Sequence, residues 1–373
     1  MEVLKKKHKG VEIKPHQVKG NLWLFVNSLI ENPAFDSQTK ETLTSKPNQF
    51  GSTLVLSEKF MKDVLASGII ESIVTVARAK EEAKLAKTLG PGKKKSKLLG
   101  VPKLEDANLA GTRHAEDCTI ILTEGDSAKS LALAGIEVVG RDHYGVFPLR
   151  GKFLNVREAP NKQIMDNPEI QNLIKILGIQ IGRKYEDVKS LRYGSIMIMT
   201  DQDHDGSHIK GLLINFIHHF WPSLMHMNGF LKEFVTPLLK ATKGNEVKSF
   251  FTINEFEKWA EGRNLKQWKI KYYKGLGTST GKEAKEYFSQ IDKHQIEFEY
   301  VDYEDDDVID LAFNKKMADK RKDWLTTYSI NNYVDHSNKY LRYKDFVNKE
   351  LIQFSIADCA RSIPCLCDGL KPG

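Results

Sequence analysis

The sequence predicts an α/β protein built on a Rossmann-like parallel sheet flanked by helices. Two apolar runs, Cys118–Leu122 and Ile196–Met199, are partly β-branched and of strand length, so they read as buried strands. Each leads through an acidic stretch into a helix-like segment, 128–134 and 208–220 respectively. The stretches Glu124-Gly125-Asp126-Ser127 and Asp201-Gln202-Asp203-His204-Asp205-Gly206 therefore fall at the carboxyl ends of strands, where open parallel sheets bind ligands. Neighbouring strands would bring Glu124, Asp201, Asp203 and Asp205 together, although 77 positions (201 minus 124) separate the first two. Such carboxylates repel, and an oxygen-binding divalent cation such as Mg²⁺ relieves the repulsion. A single Asp after a strand is ordinarily a helix cap, which suits Asp126 and Ser127. Three Asp at alternate positions ahead of a glycine do not fit capping. A calcium loop needs Glu at its twelfth position, and counting from Asp201 that position is Leu212.

Glu124-Gly125-Asp126-Ser127-Ala128 together with Asp201-Gln-Asp203-His-Asp205-Gly206 resembles the Toprim domain of type IIA DNA topoisomerases. Longer stretches narrow the resemblance to the eukaryotic topoisomerase II family. They are Gly145-Val-Phe-Pro-Leu-Arg-Gly-Lys-Phe-Leu-Asn155, Ser207-His-Ile-Lys-Gly-Leu-Leu-Ile-Asn-Phe216, Tyr272-Tyr-Lys-Gly-Leu-Gly-Thr-Ser279 and Asp368-Gly-Leu-Lys-Pro-Gly373. It implies an α+β transducer segment (1–90), a linker (91–116), a Toprim domain (117–235), a mixed α/β extension (236–342) and the start of a winged-helix domain (343–373).

The chain's 373 residues leave ample material for a buried core. No run of about 18 apolar residues marks a membrane span, and the N-terminus is no secretory signal. A net charge of +7 and a pI near 8.9 favour a polyanionic partner, though weakly. Cys118, Cys359, Cys365 and Cys367 form no disulfide or zinc pattern.

In chain order, Lys5, Lys6, Lys7 and Lys9 read alone as a solvated charge run. The resemblance makes Lys5, Lys6 and Lys7 DNA-contacting. Leu22–Ile30 is apolar enough for a core strand. Gln38, Thr39 and Lys40 sit in a polar turn, and the resemblance places them at an ATP site, with Lys40 on the terminal phosphate. Helical spacing runs from Ser57 to about Lys87, and Leu89–Lys97 reads as a linker. Pro148–Asn155 joins an apolar run to a helix near 161–177. Alone it is a glycine-containing turn, whereas the resemblance assigns Lys152 and Asn155 to DNA backbone contacts. Lys274–Lys282 lacks the spacing of a phosphate-binding loop, and Thr280 with Glu283 reads as a capping box opening a helix through Lys293. Glu304–Asp307 reads as a solvated loop. Residues 330–340 depart from the family, so no DNA contact is carried over there. Lys371 matches a DNA-contacting lysine.

The resemblance implies an ATP-hydrolysing DNA topoisomerase of the isomerase class. In that family a tyrosine breaks double-stranded DNA, a second duplex passes and the ends are resealed, within a nuclear homodimer without membrane attachment. It places one metal on Glu124 and Asp201 and a second on Asp201 and Asp203, with Asp205 behind them or as an alternative ligand. Mg²⁺ is the expected ion, with Mn²⁺ or Ca²⁺ able to substitute, and Glu124 would move the 3′-hydroxyl proton. The nucleotide-binding domain would precede residue 1 and the tyrosine would follow Gly373. Arg192-Tyr193 and Arg342-Tyr343 lie in the wrong context for it. The chain reads as an internal piece, by itself inactive on ATP and DNA. Two alternatives stay open: another Toprim-class nuclease or primase, and a non-catalytic DNA-binding fragment.

Overall fold

The structure, a computed structural model, describes residues 15–20, 22–66, 71, 73–77, 98, 100–273, 275–329, 332–336 and 338–363. Lys5, Lys6, Lys7, Lys274, Cys365, Cys367, Lys371 and residues 89–97 of the expected linker stretch lie outside them. The chain divides into two compact units, residues 1–84 and 85–373.

In the first unit, helix Glu58–Ala66 forms where helical spacing was expected. The Leu22–Ile30 expectation is corrected. This stretch forms no strand, and Trp23 and Phe25 are 91% and 92% exposed. A strand needs a neighbour to satisfy its backbone, and none pairs with it among the described residues. Ahead of Gln38 the chain turns back on itself through a bridge between Phe35 and Leu43.

The second unit is organised by a six-stranded sheet. Its strands are β1 (Thr119–Glu124), β2 (Tyr144–Leu149), β3 (Ser195–Met199), β4 (Leu231–Phe234), β8 (Gln295–Glu299) and β9 (Tyr340–Arg342). The spatial order is β2-β1-β3-β4-β8-β9, parallel from β2 to β4, with β8 antiparallel to β4 and β9 parallel to β8. Because strand side chains alternate, Ile120 and Leu122 enter one apolar core and Ile121 enters another on the opposite face. Coverage of both faces explains the unbroken apolar runs in the sequence.

Three helices set the geometry near the strand ends: α1 (Gly125–Val139), α2 (Pro168–Leu177) and α3 (His204–Phe220). The helix expected near 161–177 is two, Asn161–Asp166 and α2, because Asn167 ends one and caps the other. Thr280 and Glu283 do form a capping box, opening α4 (Gly281–Ser289), which packs on α1. Gly135 permits that approach, since a Cβ there would overlap the Phe288 ring. A second sheet, in the order β6-β5-β7, comprises β5 (Leu239–Lys243), β6 (Glu246–Phe250) and β7 (Lys269–Tyr272) and is antiparallel.

The solvated-loop reading of Glu304–Asp307 is corrected. These residues form the first turn of α5 (Tyr303–Phe313), capped by Asp302. Acidic side chains suit a helix N-terminus, and Asp302-x-x-Asp305 was the signal that a composition-based reading passed over. Asp305 is fully buried and accepts bonds from the N–H groups of Val301 and Lys344 and from the Arg342 guanidinium. Through it, α5 is tied to β9 and the segment that follows. Asp305→Ala leaves Arg342 and three backbone donors, the N–H groups of Val301, Asp302 and Lys344, without this partner, so a loss of about 3–5 kcal/mol is expected in urea unfolding.

Candidate active site

The order reverses at β1: the chain passes from it to β2 on one side and then crosses over to β3 on the other. The crevice at such a switch point is where an open parallel sheet binds ligands. Thr123 pairs in register with Met199, so Glu124 and Asp201 emerge side by side. A Glu124 Oε2 accepts the Asp201 N–H at 3.2 Å. Burial pushes the Glu124 pKa up, and the charges of Asp201, Asp203 and Asp205 add to that against the pull of this hydrogen bond. Asp201 is likewise raised by burial and by Asp203, partly offset by a backbone bond from Leu276. Among the described residues, no lysine or arginine pairs with either carboxylate.

The other two acids are already engaged. Asp203 Oδ1 caps α3 by accepting the Gly206 N–H at 2.7 Å. Asp205, in the first turn of α3, meets Lys152 Nζ at 2.9 Å and the Arg361 guanidinium at 3.4 Å. These two cations hold its carboxyl below the usual carboxylate range. No three of the four carboxylates have oxygens within 4.8 Å of one another. The strand ends thus assemble a Glu124–Asp201 pair, while Asp203 and Asp205 stand beside it on the helix. Since α3 begins at His204, the backbone also excludes a calcium loop.

Sequence reading missed two groups here. Leu276 N–H donates to Asp201 Oδ1 at 2.7 Å, and a Cβ on Gly275 would overlap the Asp201 carboxylate. Only glycine lets this backbone approach the Asp201 carboxylate so closely. Its signal was the glycine-flanked stretch before Thr280, which the sequence reading left without a role at this site. Arg361 is the other, on helix α6 (Ile352–Ser362), and nothing local marks it.

Lys152 and Asn155 follow β2 on one loop. Besides Asp205, Lys152 Nζ lies 5.2 Å over the Phe354 ring. Asn155 donates to Phe313 O and accepts from Asn215, which leaves one of its two amide hydrogens uncommitted. In the first unit, Gln38, Thr39 and Lys40 lie exposed on a turn, with Lys40 at a left-handed φ of 58°. Neither candidate tyrosine is usable as a nucleophile. Tyr193 and Tyr343 are 0% and 1% exposed, and the Tyr193 hydroxyl donates to Asp106.

Three family models match the chain: DNA gyrase B over residues 1–89, the Toprim domain over 119–234 and the C-terminal associated domain of Toprim over 234–359. Its relatives include DNA topoisomerase 2-beta of Gallus gallus, 58% identical over 390 residues and covering 100% of this chain. DNA topoisomerase 2 of Plasmodium falciparum is 58% identical over 98% of the chain, and DNA topoisomerase 2-alpha of Homo sapiens is 56% identical over 100%. The chain belongs to the eukaryotic DNA topoisomerase II family. It spans 24%, 26% and 25% of the length of those three relatives. The solved DNA-binding, cleavage and re-ligation domain of Plasmodium falciparum topoisomerase II superposes with a TM-score of 0.72 at 60% identity. That match covers 74% of this chain and 38% of the other. A Toprim domain of this family implies divalent-metal binding, and the Glu124–Asp201 pair fits: its donors are hard oxygens, partly buried and uncompensated by a cation.

Raised carboxylate pKa values mean that the native state holds those protons more tightly than the unfolded chain does. Stability of the metal-free protein therefore falls as pH rises from the ordinary carboxylate range through the raised values. Asp201→Asn keeps an oxygen for Leu276 and removes the charge. By thermal melting at neutral pH, this variant is expected to exceed the parent without metal and to lose the stabilisation that divalent ions confer. Gly275→Ala should weaken Mn²⁺ binding about 10–100-fold, read by electron paramagnetic resonance titration.

Proposed function

We propose that this chain supplies the metal-holding half of the DNA cleavage and religation site of an ATP-dependent type II topoisomerase. The observation that carries the reading is the Glu124–Asp201 pair, whose strands end side by side and whose raised pKa values call for positive charge. Glu124 and Asp201 would hold one Mg²⁺, and Asp201 with Asp203 a second. Bound there, the metal neutralises the phosphate and the leaving 3′ oxygen. Glu124, with its raised pKa, is suited to hold and return the proton of the 3′-hydroxyl.

Lys152 is placed to exchange Asp205 for a DNA phosphate, a swap that would release Asp205 toward the metal pair. The uncommitted amide hydrogen of Asn155 supports a second backbone contact. Lys5, Lys6, Lys7 and Lys371 are proposed as further contacts to double-stranded DNA on the family resemblance alone. Gln38, Thr39 and Lys40 would sense the terminal phosphate of ATP, which their exposed turn supports. We assign residues 1–90 to the transducer, 91–116 to a linker, 117–235 to Toprim, 236–342 to its extension and 343–373 to the start of the winged helix. A nuclear homodimer is the proposed setting.

The test joins the chain to a winged-helix segment from a relative and looks for Mg²⁺-dependent cleavage that leaves protein on DNA 5′ ends. Glu124→Gln and Asp201→Asn are each expected to reduce trapping at least about 100-fold. The unfused chain should neither hydrolyse ATP nor cleave DNA. Cleavage that leaves no attached protein would move the reading to a Toprim nuclease. DNA binding without cleavage, unchanged in Asp201→Asn/Asp203→Asn, would move it to a binding fragment.

A further inference from the structure

We propose that Glu233, His336 and Glu350 form a second divalent-cation site, of the zinc class, separate from the Glu124–Asp201 pair. The three residues come from different elements: Glu233 from β4, His336 from the segment before β9, and Glu350 from a π-helical turn, Phe346–Leu351. One ligand atom from each lies within 4.8 Å of the others.

Lys210, 2% exposed on α3, donates to Glu233 Oε2 at 2.7 Å and Glu350 Oε1 at 2.5 Å. The remaining oxygens, Glu233 Oε1 and Glu350 Oε2, are buried without a hydrogen-bond partner, and so are both ring nitrogens of His336. Glu233 itself is 1% exposed. Four unpartnered polar atoms of this kind are costly to bury, and one cation would satisfy three of them together, one from each residue.

Charge points the same way. Two carboxylates face one ammonium, which leaves a buried negative charge unbalanced. Neither imidazole nitrogen of His336 has a carboxylate within hydrogen-bonding reach. A metal ion accommodates wider spacing, because ligands about 2.0–2.2 Å from a tetrahedral centre lie roughly 3.4 Å apart. One imidazole with two carboxylates suits Zn²⁺ and suits Mg²⁺ poorly. Lys210 keeps the outer oxygens, and a water in the fourth position can ionise to offset the added charge. His336 lies in the stretch 330–340 that departs from the family pattern, so the site would belong to this chain and need not extend to its relatives.

The site would pin the segment before β9 and the π-helical turn to β4. It also reaches the acidic cluster, since Ser207 Oγ lies 2.6 Å from Glu350 Oε1 and 3.0 Å from Asp203 O.

The test uses the full chain, stripped with a chelator and titrated with Co²⁺ and then Zn²⁺. Expected is a visible band of a low-coordinate nitrogen–oxygen site that accounts for one Co²⁺ per chain, beyond any ion held by the all-oxygen Glu124–Asp201 pair, and is displaced by Zn²⁺. That band should vanish in His336→Gln and persist in the Glu124→Gln/Asp201→Asn double variant, with folding of each checked by circular dichroism. A band lost in the double variant and kept in His336→Gln would overturn the proposal, as would a folded parent chain with no such band. Histidine ¹⁵N shifts showing His336 doubly protonated in Zn²⁺-saturating buffer would overturn it equally.

Discussion

The parallel pairing of β1 with β3 is the constraint on which the rest depends. It aligns Thr123 with Met199, so the next residues place two carboxyl groups at one sheet edge. Each strand supplies only one acid, and neither acid alone is chemically unusual. Burial, with the charge of neighbouring carboxylates, raises both pKa values and gives the pair its demand for a cation. The helix that follows β3 adds Asp203 and Asp205 within one turn.

The acids divide into two kinds. Glu124 and Asp201 are held by backbone N–H groups, which orient a carboxylate without neutralising it. Asp205 is held by Lys152 and Arg361, which do neutralise it. A backbone clamp leaves charge available for a metal, whereas an ion pair must first be exchanged. The Gly275–Leu276 turn shows how tightly such a clamp is specified, since one methyl group on Gly275 would displace Asp201.

A buried charge network ties later parts of the chain to the sheet. Lys210 links β4 to the π-helical turn, and Asp305 links α5 to Arg342 and Lys344. These contacts place the segment after β9 against α3, where His208 stacks on Phe354 with ring centroids 3.9 Å apart. Arg361 reaches Asp205 from that segment.

The sequence by itself determined the α/β class, the two core strands, their acidic ends and the Thr280–Glu283 cap. These follow from short-range physics: apolar runs of strand length, a turn after each, and side chains that cap three residues away. It misjudged Leu22–Ile30, whose strand needs a partner that local hydrophobicity cannot supply, and Glu304–Asp307, whose charge concealed a buried helix start. Only the tertiary structure decided which acids stay uncompensated, because ion pairs such as Asp205 with Arg361, 156 positions apart, leave no local signal. The same holds for the Leu276 clamp on Asp201 and for the meeting of Glu233, His336 and Glu350. Such contacts depend on where a folded sheet and its helices bring distant side chains, and no spacing along the chain encodes that distance.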